Sequence, residues 1–394
     1  MTAVRRLSIP RQSLWTKSLL GILFVVFFLK STLKSHYFHE RTDLLICTKA
    51  ATNLWNGLKV YDISQQWAHT KPPFATLAFL PLTFLPESIL FLFWDLLNLS
   101  LFVGLAKIFS NELKKYYPKL DRFYFFLVAM LSCINFWGYE LRFGQYNLLG
   151  LAMLWAAGRM QSKNWIGQFV GAALFWMAFF LKPSNLLLLP WVLNERKCTK
   201  IFLKQSLAFL LILSGLYSSL FGLNALWADN MEWLNSMPLA TQKYLMRDVN
   251  FGFPLFFGYF TMSSIPQHFM LLAGLFLGFF WKRLATNSLE YFGVLSALSL
   301  MVSPMTWWAT FTLLMPLSTY LLVKAYNHFI GDEKLKGFLY LVIVYLGTQF
   351  IFPYSLPGFL RDYPRLANPN WVYLSYILYR LACYVRKNFM ERVR

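Results

Sequence analysis

The chain has 394 residues, of which 57% are hydrophobic and only 14% are charged, whereas charged residues make up about 25% of an average soluble domain. This composition excludes an ordinary soluble enzyme. The net charge of +20 does not indicate nucleic-acid binding here. The basic residues form short clusters between apolar segments, whereas a nucleic-acid-binding protein has them in one patch. Since apolar runs recur along the whole chain, residues 1–394 are predicted to form a single integral membrane domain.

Twelve apolar segments are candidates for membrane-spanning helices. The first, at about 18–37, follows a basic N-terminus and carries no signal-peptide cleavage site, so it is expected to be retained. Several others are shorter than the roughly 20 residues that a straight helix needs, and prolines such as Pro183 and Pro304 predict broken helices packed inside the protein. The other eleven segments lie at about 86–109, 123–139, 146–160, 165–181, 184–193, 204–223, 266–282, 289–303, 307–325, 337–352 and 370–385.

Twelve spans place both termini on one side of the membrane, and the distribution of charge indicates that this side is the cytoplasm. Most of the 37 Lys and Arg residues fall in the short segments that this topology assigns to the cytoplasm, as the positive-inside rule requires. Three longer loops, at about 38–85, 223–265 and 353–369, are then extracytoplasmic. Because binding and catalytic residues concentrate on loops, we expect the chemistry on this outer face.

The first outer loop contains a helical pattern over residues 43–56. Apolar residues at positions 44, 47, 51, 54 and 55 form one stripe, Thr42 is suited to begin the helix and Gly57 to end it. The pattern predicts a helix that lies on the membrane surface with its apolar face down. Asp43 then falls in the first turn, where the helix dipole favours an ionised carboxylate. The alternative for Asp43 is a purely structural role as a cap.

The loop continues into an ordered series of short motifs. Their order along the chain resembles glycosyltransferase family 87, the polyprenol-phosphate-mannose-dependent mannosyltransferases of the C-type (GT-C) membrane fold. The matching elements are Asp43, Ala50-Ala51, Gly57, Tyr61, Pro72-Pro73, Pro81 to Pro86, Gly144-Gln145-Tyr146-Asn147, Lys182-Pro183, Asn194-Glu195-Arg196-Lys197 and Ser303-Pro304-Met305-Thr306-Trp307.

The resemblance implies an all-α polytopic fold of the GT-C type, with about 12 transmembrane helices and surface helices in the first outer loop. It also places the catalytic base of the family at Asp43. Transfer of a hexose from a lipid phosphate needs one carboxylate to take the proton of the acceptor hydroxyl, and no general acid, because phosphate is already a weak base. Asp43, ionised near its ordinary pKa of about 3.9, suits this role. Glu140 and Asp62 are the reserve candidates.

Cations near the outer ends of spans are candidates for the donor phosphate. Arg142 and Lys182 hold such positions, although either can instead extend along the bilayer to the interface. Four further side chains are candidates for substrate binding. Gln145 and Asn147 suit hydrogen bonds to sugar hydroxyls or between helices, and Tyr61 and Trp307 suit stacking on a sugar ring or an interfacial aromatic belt.

No metal or cofactor is predicted. His36, His39, Glu40 and Asp43 fall at helical spacing, but this helix would have to cross the membrane boundary. The chain has no Asp-x-Asp element and no phosphate-binding glycine loop, so nothing in it is typical of nucleotide-sugar binding. The four cysteines include no Cys-x-x-Cys pair.

Asp95 supports a rival hypothesis, because it lies within the apolar run at 86–109, where a charge costs about 2.5 to 3.5 kcal/mol on insertion scales. Such a residue needs a partner or a cavity and is typical of a polytopic transporter or lipid flippase. A transporter would usually have repeated halves, and the sequence has no internal repeat. A non-catalytic assembly subunit is a third hypothesis, but it gives no reason for the Asp43 and Gly144-Gln145 elements.

We therefore expect an inverting, metal-independent glycosyltransferase in a bacterial inner membrane, with both termini cytoplasmic. The expected donor is a polyprenyl-phosphate hexose, with mannose as the expected sugar, and the expected acceptor is a lipid or glycan on the periplasmic side. Membrane lipids are the other expected partner, and no nucleic acid is expected.

Overall fold

A computed structural model describes residues 14–37, 42–62, 69–118, 122–160, 164–194, 199–245, 265–303, 308–330, 335, 337–342 and 369–393. All regular secondary structure in these ranges is helical. The α-helices are α1 (Leu14–Tyr37), α2 (Thr42–Trp55), α3 (Pro73–Phe79), α4 (Glu87–Tyr116), α5 (Arg122–Phe143), α6 (Asn147–Arg159), α7 (Trp165–Leu181), α8 (Leu189–Asn194), α9 (Thr199–Phe221), α10 (Leu223–Leu245), α11 (Ile265–Trp281), α12 (Ser288–Val302), α13 (Met315–Ile330) and α14 (Pro369–Val393). Three 3₁₀ helices lie at Leu80–Phe84, Pro183–Leu188 and Trp308–Leu314.

Three of the described helices, α4, α5 and α9, are long and apolar enough to cross a membrane. Shorter apolar helices occupy most of the other predicted spans. The prediction of an all-helical membrane protein is therefore confirmed, whereas the number of twelve spans stays a prediction. Of the predicted span at 337–352, only 337–342 is described, and it is helical.

The core of the bundle is built around α5 and α12. Trp137 of α5 stacks between aromatic rings of its neighbours, with centroid distances of 4.5 Å to Phe102 and 5.3 Å to Phe24. Every residue of α12 from Leu289 to Val302 is buried. Gly293 permits this central position, since a Cβ atom there would lie 2.6 Å from the backbone nitrogen of Leu317 on α13.

One end of the bundle is joined by ionic contacts between helix termini. At the end of α4, Glu112 accepts from Lys115 at 2.8 Å, and its other carboxylate oxygen lies 3.0 Å from Arg159 Nη2. Buried Glu290, in the first turn of α12, accepts from Tyr376 at 2.6 Å and lies 3.2 Å from Arg380. These basic helix ends belong to the side that the charge distribution assigns to the cytoplasm.

The predicted loop at 223–265 contains the helix α10, which the sequence reading missed. Its inner face packs on the opposite end of the bundle, where Asp229 accepts from Tyr217 at 2.5 Å and Trp233 Nε1 donates to Thr70 O at 3.2 Å. Leu223 and Trp227 on another face are exposed. The helix is amphipathic, so its polar residues lower the mean hydropathy and give the segment the appearance of a loop.

Asp95 lies on the buried side of α4 with a relative exposure of 1%. Trp94 and Asn98 beside it are also buried. The carboxylate therefore faces the protein interior and not lipid, as a charged residue within an apolar helix requires.

Candidate active site

The helix in the first outer loop forms as the sequence predicts. α2 begins at Thr42 and ends at Trp55, and Gly57 follows with φ of +65°, a conformation that favours glycine. The orientation of its apolar stripe is a correction, because four of its five residues, Leu44, Cys47, Ala51 and Leu54, are buried in the protein, whereas Trp55 is exposed. They pack against α3 and the 3₁₀ helix after it. The stripe thus anchors α2 to the bundle and not to the membrane surface.

Asp43 lies in the first turn of α2 and is half-buried. Burial raises the pKa of its carboxyl to about 6, and the nearby Lys71 ammonium opposes the shift. The sequence reading expected an ordinary pKa near 3.9. The higher value leaves the group mainly ionised at pH 7 and makes it a stronger proton acceptor than a solvated aspartate.

Lys71, in the turn that precedes α3, lies within electrostatic range of Asp43. Pro73 occupies the first position of α3, where its missing N–H leaves no hydrogen bond unmade. The Tyr61 hydroxyl donates to the Lys71 carbonyl at 2.9 Å. The Lys71 Nζ atom lies 5.1 Å from the centroid of the Tyr146 ring, an arrangement suited to a cation–π contact. Burial lowers the pKa of Lys71, and the carboxylate of Asp43 opposes this shift.

Tyr146 is positioned by the turn between α5 and α6. Gly144 has φ of +63°, and the Gln145 amide donates to Glu140 O at 3.0 Å while the Gly144 amide donates to Leu141 O at 3.3 Å. This pair of bonds is a Schellman motif, which requires the left-handed conformation at Gly144. The turn places Tyr146 at the start of α6, where a hydrogen bond joins its hydroxyl to Cys47.

Glu140 is a buried carboxylate that binds the beginning of α6. It accepts from the Leu148 amide at 2.7 Å, from the Thr312 hydroxyl at 2.6 Å and from Asn147 Nδ2 at 3.5 Å. Asn147 Nδ2 also lies 3.3 Å from Gln145 Oε1. These contacts satisfy an orphan amide at a helix N-terminus, which is a structural task. They make Glu140 a less suitable reserve base than the sequence alone suggested.

Lys182 enters the same neighbourhood from the end of α7. Its backbone is extended, with φ of −151° and ψ of 105°, because the following Pro183 disfavours helical geometry. Lys182 lies within electrostatic range of Lys71 and of Glu140. Two cations and two carboxylates from distant parts of the chain thus meet at one end of the bundle.

The structure brings together most of the predicted site residues. Asp43, Lys182 and Glu140 share one electrostatic neighbourhood, and Tyr61 joins it through the Lys71 carbonyl. Gln145 and Asn147 lie at the turn that supports Tyr146. Sequence reasoning did not assign Lys71 or Tyr146 a role, although both stand in motifs that it singled out.

The remaining predicted residues have other described surroundings or lie outside the described ranges. Arg142 is half-buried with its guanidinium 5.4 Å from the centroid of the Phe143 ring. Asp62 lines a separate pocket beside α2. Trp307, His39 and Glu40 lie outside the described residues.

Comparison with known proteins identifies the relatives of this chain. A family model for glycosyltransferase family 87 matches residues 69–304, which is more than half of the sequence. The chain belongs to glycosyltransferase family 87. No curated protein and no solved structure matches it.

The family match covers part of the site. Lys71, Glu140, the Gly144-Gln145-Tyr146-Asn147 turn and Lys182 lie within the matched residues, whereas Asp43 and Tyr61 precede them. Family 87 membership makes the chain a glycosyltransferase, which acts on a sugar donor and an acceptor, and not a transporter. Its apolar helices agree with a membrane-associated enzyme.

Proposed function

We propose that this family 87 enzyme transfers a hexose, with mannose as the expected sugar, from a polyprenyl-phosphate donor to a hydroxyl of a lipid or glycan acceptor. The observation that carries the proposal is the grouping of Asp43 with Lys71 and Lys182 at one end of the helical bundle. A carboxylate with a pKa of about 6 suits a base, and paired cations suit a phosphate.

In the proposed reaction the acceptor oxygen attacks the anomeric carbon of the donor. The hydroxyl proton passes to Asp43 as the new carbon–oxygen bond forms. The bond between the anomeric carbon and the phosphate oxygen breaks, and its electron pair stays on the phosphate, which leaves as polyprenyl phosphate. A single displacement with one base inverts the configuration at the anomeric carbon.

The leaving phosphate gains negative charge during the reaction, since a diester becomes a monoester. Lys71 and Lys182 repel each other when the site holds no anion. A bound phosphate would relieve that repulsion, and the growing charge would strengthen both interactions in the transition state. Preorganised cations of this kind are a major source of catalysis in partly dry sites. Arg142, two residues beyond Glu140 at the end of α5, is a further candidate for the lipid phosphate.

The sugar-binding roles of four side chains complete the proposal. Gln145 and Asn147, at the turn before α6, are candidates for hydrogen bonds to donor hydroxyls, although Asn147 also binds Glu140. Tyr61 and Trp307 are candidates for stacking on a sugar ring. Asp62 stays a reserve base, but its place in the neighbouring pocket favours a binding role.

The larger setting is likewise proposed. The single domain 1–394 would adopt the GT-C fold with twelve spans in a bacterial inner membrane, both termini in the cytoplasm and the loops at 38–85, 223–265 and 353–369 in the periplasm. The reaction is proposed to need no metal ion, since Lys71 and Lys182 would supply positive charge to the leaving phosphate.

A transfer assay tests the proposal. Purified enzyme is incubated with radiolabelled polyprenyl-phosphate mannose or glucose and a membrane lipid extract, with and without chelator. We expect a new labelled glycolipid whose anomeric configuration is opposite to that of the donor, formed equally in chelator. Product from a nucleotide sugar but from neither lipid donor would contradict the proposal. Loss of product in chelator, restored by a divalent ion, would contradict the metal-independent mechanism.

A further inference from the structure

A second polar pocket lies beside α2, next to the Asp43 neighbourhood. It is shallow and open to solvent, and the space of about 300 Å³ within it includes open solvent. Its walls combine apolar surface with four polar side chains. The lining residues are Ile46, Lys49, Ala50, Asn53, Val60, Asp62 and His69.

His69 gives this pocket a defined chemistry. Its side chain is 6% exposed, and its Nε2 atom lies 2.8 Å from Thr76 Oγ1. Among the described residues, Nδ1 is buried with no hydrogen-bond partner. A buried polar atom without a partner costs about 1 to 3 kcal/mol, so an external ligand that bonds to Nδ1 would relieve this penalty.

The chemistry of the unpartnered nitrogen follows from the state of the ring. The ring is neutral, because burial lowers the pKa of His69 to about 3 and the charge of Lys71 acts in the same direction. The bond of 2.8 Å between Nε2 and the Thr76 hydroxyl can run in either direction, so Nδ1 carries either a lone pair or a proton. A hydroxyl group both donates and accepts, so a ligand with hydroxyl groups can bond to Nδ1 in either tautomer.

The other polar groups agree with a ligand that carries several hydroxyls. The Asp62 carboxylate is an acceptor. Asn53 Nδ2 donates to Lys59 O at 3.0 Å, which fixes the amide on the pocket wall. The lining pairs the acidic Asp62 with the basic Lys49, so it offers no excess of positive charge to a phosphate, and its polar groups disfavour a prenyl chain. A sugar ring combines hydroxyl donors with an apolar face that suits Ala50 and Ile46.

The distance to Asp43 matches the geometry of a glycan acceptor. With a rise of about 1.5 Å per residue, Ile46 lies about 5 Å along α2 from Asp43 and Lys49 about 9 Å. A sugar ring in the pocket would thus be one unit away from the hydroxyl that reacts at Asp43. We propose that this pocket is a saccharide subsite for the acceptor, with sugar hydroxyls bonding to His69 Nδ1 and donating to Asp62. The assignment to the acceptor rests on the proposed function.

A binding experiment tests the subsite without any need for turnover. Full-length protein with Cys383→Ser, which removes an exposed thiol, receives Lys49→Cys at the exposed rim of the pocket. The rate of thiol labelling at position 49 is measured with methyl α-mannoside, methyl α-glucoside or α-1,2-mannobiose, and separately with glycerol or farnesyl phosphate. We expect one of the saccharides to slow labelling by at least about threefold once its concentration reaches twice its Kd, and glycerol and farnesyl phosphate to have no effect.

Two variants test the named contacts. His69→Phe should remove most of the protection. Asp62→Asn, at a half-buried position where folding is less sensitive, should do the same. Glu87→Gln, at the beginning of α4, should retain the protection. Failure of every saccharide to protect, or protection by farnesyl phosphate alone, would overturn the subsite. Protection that survives both variants would overturn the roles of His69 and Asp62. An inactive transfer assay together with intact protection would contradict only the proposed donor.

Discussion

At the scale of single residues, Asp43 and Lys71 adjust each other's chemistry. Burial raises the pKa of Asp43 to about 6, and Lys71 limits the rise. Asp43 in turn favours the charged form of Lys71. A base with a pKa near the working pH combines a large ionised fraction with useful basicity. The same pair thus serves both halves of the proposed reaction, proton removal and phosphate binding.

The pH dependence of turnover tests this coupling. Since the base must be ionised, kcat/KM should be full above a pKa of about 6 and fall as pH decreases through that value. Lys71→Met removes the cation that lowers the pKa of Asp43, so the midpoint of the profile should move to higher pH. Lys59→Met, which removes an exposed lysine 4.0 Å from Glu232, should leave the midpoint unchanged. A profile that is flat from pH 5 to 8 in the wild-type enzyme would contradict the role of Asp43.

At the scale of elements, the beginning of α6 depends on Glu140. This carboxylate joins α5, α6 and the 3₁₀ helix at Trp308–Leu314 through its contacts with Leu148 and Thr312. The motif Gly144-Gln145-Tyr146-Asn147 was recognised as a family signature, and the structure gives it a mechanical reason. The glycine turns the chain so that Tyr146 lies beneath Lys71.

Removal of Glu140 should affect stability before chemistry. Glu140→Ala leaves the Leu148 amide and the Thr312 hydroxyl without their acceptor, and hydrogen bonds to charged groups are worth about 1.5 to 3 kcal/mol each. We expect a clear fall in Tm in detergent. Glu140→Gln keeps one carbonyl acceptor, so its Tm should fall less. Its activity should be proportional to the amount of folded protein. A Glu140→Gln enzyme with normal Tm and a loss of turnover of about 100-fold or more would instead identify Glu140 as the base.

Sequence patterns predicted the helices better than the tertiary contacts that the helices make. The Thr42 and Gly57 boundaries of α2 and the position of Asp43 follow from local rules of capping and glycine conformation. The surroundings of the apolar stripe of α2 could not be predicted in this way, because an amphipathic pattern indicates which face of a helix is buried but not whether protein or lipid covers it. The association of Lys71 with Lys182 is likewise tertiary, since more than 100 residues separate them.

At the scale of the whole molecule, charged residues divide between the two ends of the bundle. The cluster around Glu112, Arg159 and Glu290 joins helix ends on one side. Asp43, Lys71 and Lys182 lie at the other side, covered in part by α10 through the contact of Trp233 with Thr70. From the positive-inside rule we expect the first end in the cytoplasm and the candidate site on the outer face, and this orientation stays a prediction.

Accessibility of introduced thiols tests this orientation. In a Cys383→Ser background, Asn235→Cys on α10 and Lys115→Cys at the end of α4 both create thiols at exposed positions. In intact cells an impermeant thiol reagent should label position 235 and leave position 115 unlabelled, while both should react after permeabilisation. Labelling at 115 alone in intact cells would invert the topology.

The turnover of Asp43→Asn tests the central claim most directly. Asn is similar in size to Asp and is equally suited to the beginning of a helix, so the variant should fold with an unchanged Tm. Loss of a positioned base should lower turnover by about 100-fold to 10,000-fold, whereas Glu87→Gln, which removes an exposed carboxylate from the first turn of α4, should retain normal turnover. Near-normal turnover of folded Asp43→Asn enzyme would contradict the assignment of Asp43 as the base.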